Sequence, residues 1–323
     1  MRDSTGRNID YLRISVTDEC NLRCTYCAPQ DGARASSRHW LLSPQDIWQV
    51  AQVAMSLGVN HVRLTGGEPL TRSDLPSIVS GLRDLGVPDI SLTTNGTHLV
   101  LSAATLKQAG LRRVNVSLDS LRRQVYRSIT GAGRPGDVML GIRNAIDAGL
   151  SPVKINTVLM AGINDGEILD LARLSLSLPV HVRFIEVMPI GPDPDANASL
   201  VVPMDRAREE VASLGKLEPV KDIAGAGPAE SFRLPRALGT VGFIAPLTHP
   251  FCASCNRLRV TADGKLRPCL ASDAEVDLMP ALRGDDVPGG LEAAFRQALL
   301  IKPASHDLWN HRGHARRMCQ IGG

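Results

Sequence analysis

Tyr11-Leu12-Arg13-Ile14-Ser15-Val16 runs without a break into Thr17-Asp18-Glu19-Cys20-Asn21-Leu22-Arg23-Cys24-Thr25-Tyr26-Cys27, and a helix-patterned stretch follows at 44–57. The first six residues have the apolar and β-branched content of a strand. Ser43 and Asp46 form a Ser-x-x-Asp box with Pro44 in the first turn; Ile47, Val50, Ala54 and Leu57 recur on one face, and Gly58 supplies the stop. Strand, cysteine-bearing loop and helix make one unit, and the alternation continues. It predicts strands over 11–16, 61–65, 90–94, 113–118, 153–159 and 181–187, with helices near 44–57, 74–85, 102–109, 121–128, 135–148 and 166–176. Alternation with short connections implies parallel strands joined by right-handed crossovers. Six such units make an α/β partial (β/α)6 TIM-like barrel, with a doubly wound open sheet as the competing topology.

The unusual segments favour the barrel. Thr65-Gly66-Gly67-Glu68-Pro69, Thr93-Thr94-Asn95-Gly96, Ser117-Leu118-Asp119-Ser120 and Met188 fall at or near the C-terminal ends of predicted strands, where barrels assemble their active sites. Gly66 and Gly67 remove side chains so that backbone can approach a ligand, and Glu68 can accept from an ammonium. Thr93 and Ser117 have an alternative reading as loop-capping hydroxyls, against which their place among the other motifs favours a functional one. After 187 the pattern changes: four prolines fall in 189–203, 225–228 is loose, and 239–270 reads as strands and turns, with Asp263-Gly264 a turn signal. A helix near 291–300 precedes a polar tail. The expected organisation is a barrel over 1–190 and a smaller C-terminal region over 191–323 packed against it.

Bulk properties exclude several classes. The chain has 323 residues, 43% hydrophobic and 21% charged, with a formal net charge of +3 and 3% aromatic residues. That is enough for a large core, and too little basic charge and too few rings for a nucleic-acid binder. No stretch has the length of a membrane span, and the N-terminal residues lack a secretory apolar core, so a cytoplasmic location is expected. Only Lys107, Lys154, Lys216, Lys221, Lys265 and Lys302 of the 36 basic residues are lysines; arginine-rich codon usage explains most of this, and arginines that clamp phosphate are the sharper reading.

The seven cysteines fall as Cys20, Cys24, Cys27, then Cys252, Cys255, Cys269, with Cys319 alone. Two groups of three point to metal or redox chemistry in a cytosolic chain rather than to disulfides. Cys-x3-Cys-x2-Cys can hold three corners of a cubane iron–sulfur cluster, leaving one iron open to an outside ligand. The second group permits a zinc ribbon with His249 as fourth ligand. Strand alternation there sets Asn256, Leu258 and Val260 on one side and Arg257 and Arg259 on the other, which suits a highly anionic ligand or ordinary surface ion pairs.

Cys-x3-Cys-x2-Cys with Tyr26 before its last cysteine resembles the signature of the radical S-adenosylmethionine (SAM) superfamily. With Gly66-Gly67-Glu68-Pro69, Thr93-Thr94-Asn95-Gly96, Asn115-Val116-Ser117-Leu118-Asp119-Ser120, Lys154-Ile155-Asn156-Thr157, Arg183-Phe184-Ile185-Glu186, Cys255-Asn256-Arg257-Leu258-Arg259 and the Gly322-Gly323 end, the chain resembles the GTP 3′,8-cyclase family of molybdenum cofactor biosynthesis. The resemblance runs from about residue 10 to the last glycine and is weakest over 189–235 and 280–315. It implies a lyase with two [4Fe-4S] clusters, the first binding SAM and the second facing guanine. A SAM-derived adenosyl radical removes the C3′ hydrogen of GTP, the sugar radical attacks C8, and reduction gives (8S)-3′,8-cyclo-7,8-dihydro-GTP.

By position, the resemblance implies that Cys20, Cys24 and Cys27 hold the SAM cluster and Cys252, Cys255 and Cys269 the second. Tyr26, Gly67, Ser117 and Met188 are expected at SAM, and Arg13, Arg63, Thr93, Lys154, Arg183, Arg257, Leu258 and Arg259 at GTP. Gly322 and Gly323 match a catalytically required tail, and His249 becomes a bystander. It also implies an electron donor, cyclic pyranopterin monophosphate synthase as downstream partner, and a homodimer. Two positions depart from the family: His61 stands where a lysine is usual, and Cys319 has no counterpart, reading as an incidental thiol. A radical SAM maturase would carry more cysteines downstream, and a zinc-ribbon binding protein would be colourless and indifferent to SAM.

Overall fold

Alternation along each strand sorts the chain into an apolar outer layer and a polar interior. The computed structural model describes residues 1–27, 41–190, 193–221, 223–225, 227–310 and 316–322. Strands β1 (Tyr11–Ser15), β2 (His61–Thr65), β3 (Asp89–Thr94), β4 (Arg113–Ser117), β5 (Val153–Leu159) and β6 (Val180–Glu186) alternate with α1 (Pro44–Ser56), α2 (Leu75–Asp84), α3 (Leu99–Ala109), α4 (Arg123–Thr130), α5 (Pro135–Asp147) and α6 (Ile168–Ser177). Leu12, Ile14, Val62, Leu64, Leu92, Val114, Val116, Ile155, Val182 and Phe184 are fully buried in one cluster with the inner faces of the helices. Each such side chain contributes roughly 1.5–3 kcal/mol of hydrophobic stabilisation. The predicted start of α1 is present: Ser43 and Asp46 cap it reciprocally, and Arg283 donates to Asp46 Oδ2 at 3.0 Å, tying the C-terminal region to this helix.

The strand order separates the two topologies. The six strands lie in sequential order, as in a barrel, whereas a doubly wound sheet reverses order at a switch point. Residues after 190 extend both flanks. β9 (Thr240–Ile244) adds in parallel to β6 and β10 (Arg257–Val260) adds in parallel to β1. Antiparallel β7 (Glu218–Pro219) and β8 (Glu230–Arg233) follow outside β9, and β11 (Lys265–Arg267) and β12 (Val276–Asp277) outside β10. The result is a partial barrel whose strand order does not return on itself. The stretch 189–235, where the resemblance is weakest, also holds α7 (Pro194–Ser199) and α8 (Met204–Ala212). Met204, Ala207 and Val211 are its buried face, three positions among charged neighbours and too few to stand out. The C-terminal α10 (Val287–Leu300) packs beside β11, β12 and α1, with α9 (Met279–Leu282) against it. Among the described residues no helix is long and apolar enough to cross a membrane.

Candidate active site

A filled barrel has branched apolar side chains inside; this one has cations. Arg13 of β1 stands in register with Arg63 on β2 and Arg259 on β10. Together with Tyr11, Thr93, Asn156, Arg183, Met188 and Arg257, these residues line a cavity of about 150 Å³. It meets a second cavity of about 580 Å³ at Arg183 and Gly227, where Lys154, His181 and Lys221 join the lining. Arg63 lies 5.1 Å from the centre of the Tyr11 ring and donates to Ser91 Oγ at 3.3 Å. Arg183 donates to Asn115 Oδ1 at 2.6 Å, and Arg113 is held by Asp89. Buried Arg13 Nε, one terminal nitrogen each of Arg63 and Arg113, Arg183 Nε, Asn156 Oδ1 and the Tyr11 hydroxyl have no hydrogen-bond partner.

The electrostatics match that geometry. Burial, then the neighbouring cations, bring Arg183 down to about 9, Arg259 to about 10 and Lys154 to about 6. Arg13 is lowered well below the ordinary guanidinium range, by burial and then by Arg259 and Arg63. Burial opposes ionisation of Asp89, but His61 and Arg113 outweigh it and hold the carboxyl well below the usual range. That carboxylate is fully engaged, with His61 Nδ1 at 2.7 Å from it, so His61 faces an anion already in place. An interior with this many unpaired donors is built for a polyanion.

The two cysteine groups stand at opposite ends of this interior. Cys20, Cys24 and Cys27 follow the C-terminal end of β1. Cys255 precedes β10, whose first residue Arg257 lies level with Tyr11, the first residue of β1. The hairpin β10–β11, with Arg259 opposite Arg267, returns Cys269 to the same end. The four steps of β1 at ~3.3 Å each put its two ends roughly 13 Å apart along the strand. The second group therefore sits at the N-terminal end of the strands, which linear spacing does not reveal. His249 is largely exposed and turns to Asp205 on α8, 3.7 Å away. All seven cysteines are free. Among the described residues no three His, Cys, Asp or Glu side chains are arranged to enclose a single metal ion.

The donor set at the first group fits an iron–sulfur cluster. The Leu22 amide, at 3.4 Å, and the Asn95 side-chain amide, at 3.9 Å, both point at Cys20 Sγ, as donors to a ligating sulfur do. The loop is anchored on both sides. The Arg23 and Thr25 amides donate to Thr130 and Ile129 at the end of α4. Tyr26 donates to Asp119 at 2.8 Å, and burial raises Asp119 to about 6. Gly67 serves this anchoring: its amide donates to Thr17 O at 2.8 Å, and a Cβ there would stand 2.1 Å from Glu19 O. The glycine pair thus makes room for the cysteine loop itself. Glu68 is buried, accepts from Leu70, Thr94 and Asn95, and is raised to about 7 by that burial; it staples the ends of β2 and β3.

The remaining sequence candidates divide. Ser117 lies level with Asn156. Met188 borders the 150 Å³ cavity and packs with Cys27 against Ile190, Leu247 and Ile321. The side chain of Leu258 lies in the outer apolar layer, leaving only its main chain for the interior. Gly322 sits at the ends of β1 and β2, with φ of 67° and no room for a Cβ, which would lie 2.4 Å from Thr65 Oγ1. Arg259 donates to Gly322 O at 2.7 Å. Gly323 lies outside the described residues. Cys319, an incidental thiol by sequence, is buried within hydrogen-bonding reach of Cys27. Arg113, Tyr11 and His181 were not named as site residues in sequence, and Asn115 entered only as the first residue of a motif, although strand alternation with Arg63, Lys154 and Arg183 carries that signal.

Two family models match successive stretches of the chain. Residues 14–175 match the family model of the Radical SAM superfamily, and residues 180–308 that of Molybdenum Cofactor Synthesis C. The chain is 47% identical over 324 residues to GTP 3′,8-cyclase of Moorella thermoacetica and 46% over 325 residues to that of Pelotomaculum thermopropionicum, covering all of both chains in each case. Among solved structures, Streptococcus suis SuiB bound to precursor peptide SuiA superposes with a TM-score of 0.65 at 15% identity, over 98% of this chain and 77% of that one. The structure of anSMEcpe with bound AdoMet gives 0.53 at 13% identity, over 88% and 83%. At those identities the likeness is one of fold. The sequence relatives go further: the chain belongs to the GTP 3′,8-cyclase family of the radical SAM superfamily.

Proposed function

We propose that this chain converts GTP to (8S)-3′,8-cyclo-7,8-dihydro-GTP, the first step of molybdenum cofactor biosynthesis. Residues 1–190 would act as the radical SAM barrel, and 191–323 as the region carrying the second cluster, GTP contacts and the glycine tail. The observation that carries the reading is the interior set of unpaired guanidinium donors between two three-cysteine groups. Cys20, Cys24 and Cys27 would hold a [4Fe-4S] cluster at the C-terminal mouth, and Cys252, Cys255 and Cys269 a second at the far end. When bound, the first cluster supplies reductive cleavage of the SAM sulfonium, the source of the hydrogen-abstracting radical.

The chain's own residues then position the reactants. Tyr26, Gly67, Ser117 and Met188 border the mouth and orient SAM. Arg13, Arg63, Arg257 and Arg259 clamp the triphosphate with Lys154 and Arg183, while Thr93 and the Leu258 main chain complete the GTP site. Gly322 closes the mouth beside Thr65, and Gly322 and Gly323 together would act as the catalytic tail. An external electron donor, cyclic pyranopterin monophosphate synthase as consumer of the product, and a homodimer complete the proposal.

The direct test is anaerobic turnover by reconstituted, reduced protein with SAM and GTP, ATP or no nucleotide, followed by mass-detected chromatography. A cyclised nucleotide isobaric with GTP, formed with 5′-deoxyadenosine and only from GTP, is the expected result. SAM cleavage without nucleotide conversion overturns the substrate, and no cleavage by iron-loaded protein overturns the reaction.

Two quantitative expectations follow from the interior. Replacing Arg13 by methionine removes a cation with an unpaired donor among other cations. GTP should bind about ten- to hundredfold more weakly, since a hydrogen bond to a charged group is worth ~1.5–3 kcal/mol. The nucleotide-free protein should melt a few degrees higher, because an uncompensated buried charge is relieved. Unchanged affinity with a lowered Tm would make Arg13 a structural residue instead.

Lys154, brought down to about 6 by burial and its cationic neighbours, is largely neutral in the empty protein at pH 7.5. A triphosphate favours the ammonium, so binding takes up a proton and affinity falls as pH rises above about 6. Calorimetry in two buffers of different ionisation enthalpy should show uptake approaching about one proton per GTP from this group. Uptake in Lys154→Met identical to that of the unmodified protein would remove Lys154 from the site.

A further inference from the structure

Lys302 lies just after α10, is only 4% exposed, and touches both arms of the hairpin that carries the second cysteine group. Its Nζ donates to Pro268 O at 2.6 Å, immediately before Cys269, and to Arg257 O at 2.9 Å, two residues after Cys255. The same nitrogen lies 3.8 Å from Cys255 Sγ. Arg7 ties the neighbouring residues to the third cysteine: its guanidinium donates to Cys252 O at 2.9 Å, Pro303 O at 2.7 Å and Ala304 O at 3.0 Å. Lys302 and the Arg7 side chain that holds residues 303 and 304 therefore tie together the backbone around the three cysteines.

Bridging two carbonyls needs a donor but not a charge, and a buried ammonium without a counter-ion is costly. Among the described residues no carboxylate forms an ion pair with Lys302; after burial, which disfavours its charge, the strongest influences are the sulfurs of Cys255 and Cys269, which favour it, and then the cations Arg7 and Arg257, which oppose it. The compensating negative charge has to come from the sulfur ligands. The first cysteine group is built differently: among the described residues its Cys20 sulfur receives neutral amide donors, from Leu22 and Asn95.

We propose that Lys302 is a positioning residue for the second cluster: its ammonium donates to the Cys255 sulfur and is the fixed counter-charge that makes this cluster easier to reduce than the first. The inference rests on the reading of Cys252, Cys255 and Cys269 as iron–sulfur ligands. A cation and donor at a ligand sulfur stabilise the more negative, reduced state. Glutamine at 302 keeps an amide donor and removes the charge; arginine keeps the charge.

The test is redox titration of the reconstituted full-length protein followed by electron paramagnetic resonance, with SAM added to identify the first cluster's signal. In Lys302→Gln the equilibrium for reducing the second cluster should fall about tenfold, which for one electron is 59 mV, with the first cluster unmoved; Lys302→Arg should stay within about threefold. An unshifted second cluster in Lys302→Gln, with iron and sulfide matching the unmodified protein, overturns the inference. If Lys302→Gln loses that cluster, Lys302→Arg decides: recovery of its iron supports the charge, and equal loss overturns it. Unmodified protein holding iron for one cluster alone is a different failure, that of the second-cluster reading.

Discussion

Cys24→Ala leaves reconstituted, reduced protein without measurable 5′-deoxyadenosine, and its iron content falls by about half. The loop around Cys24 is fixed independently of any metal. The Cys27 amide donates to Cys24 O at 2.9 Å, and the flanking Arg23 and Thr25 amides hold the end of α4. Alanine therefore removes a ligand without releasing the loop, and the fold should survive by circular dichroism. Burial, then the nearby Asp119 and Cys20, drives the metal-free Cys24 thiol upward, so its thiolate exists through ligation. Cys319 does not offer a substitute, because its partner in the loop is Cys27. Cleavage at the unmodified rate in a preparation of Cys24→Ala that keeps all its iron would end the assignment of the first site.

Much of the fold was legible because its strands are buried on their outer face by helices. Val62 and Leu64, or Val114 and Val116, alternate with polar residues, and that period of two fixes both the strand and which face looks inward. The same alternation should have exposed the interior chamber. Arg63, Arg113, Lys154 and Arg183 occupy inward positions that a filled barrel would give to branched apolar residues. What the sequence could not supply was the flank assignment. β9 and β10 are short and separated from their partners by many residues, and parallel pairing leaves no hairpin turn as a local signal. The flank assignment alone places the second cysteine group at the opposite end from the first.

Side-chain roles were less legible than side-chain positions. Gly66-Gly67 reads as a ligand approach, and the structure adds a second reason for the pair: the carbonyls of Thr17 and Glu19 occupy the space where Cβ atoms would go. The pair shapes the cysteine loop. Glu68 reads as an acceptor for a ligand ammonium and is already engaged by three protein donors. Cys319, without a pattern of its own, reaches Cys27 because the tail folds back to the mouth, where Ile321 is buried and Gly322 is held by Arg259. Lys302 carries no sequence signal at all, since its significance depends on a contact with two separate arms of one hairpin.

Cys255→Ala is expected to keep appreciable SAM cleavage while forming no cyclised nucleotide. The two groups flank different ends of β1 and β10, so loss of a ligand at one leaves the backbone that holds the other untouched. Burial pushes the Cys255 thiol up, but Arg257 and Lys302 outweigh it and bring it down to about 7, the behaviour of a sulfur placed to carry negative charge. Arg257 and Arg259 continue from the same strand into the cavity, where Arg13 and Arg63 face them. On the proposed assignment, removing Cys255 would unsettle the end of the GTP site and spare the SAM end. The measurement is 5′-deoxyadenosine and cyclised nucleotide quantified in one reaction, with iron per chain determined on the same sample. Nucleotide conversion equal to the unmodified protein would refute a role for the second group. Loss of both products with the first cluster intact would show instead that SAM cleavage itself requires an ordered nucleotide site, coupling the two ends through the row Arg259, Arg13 and Arg63.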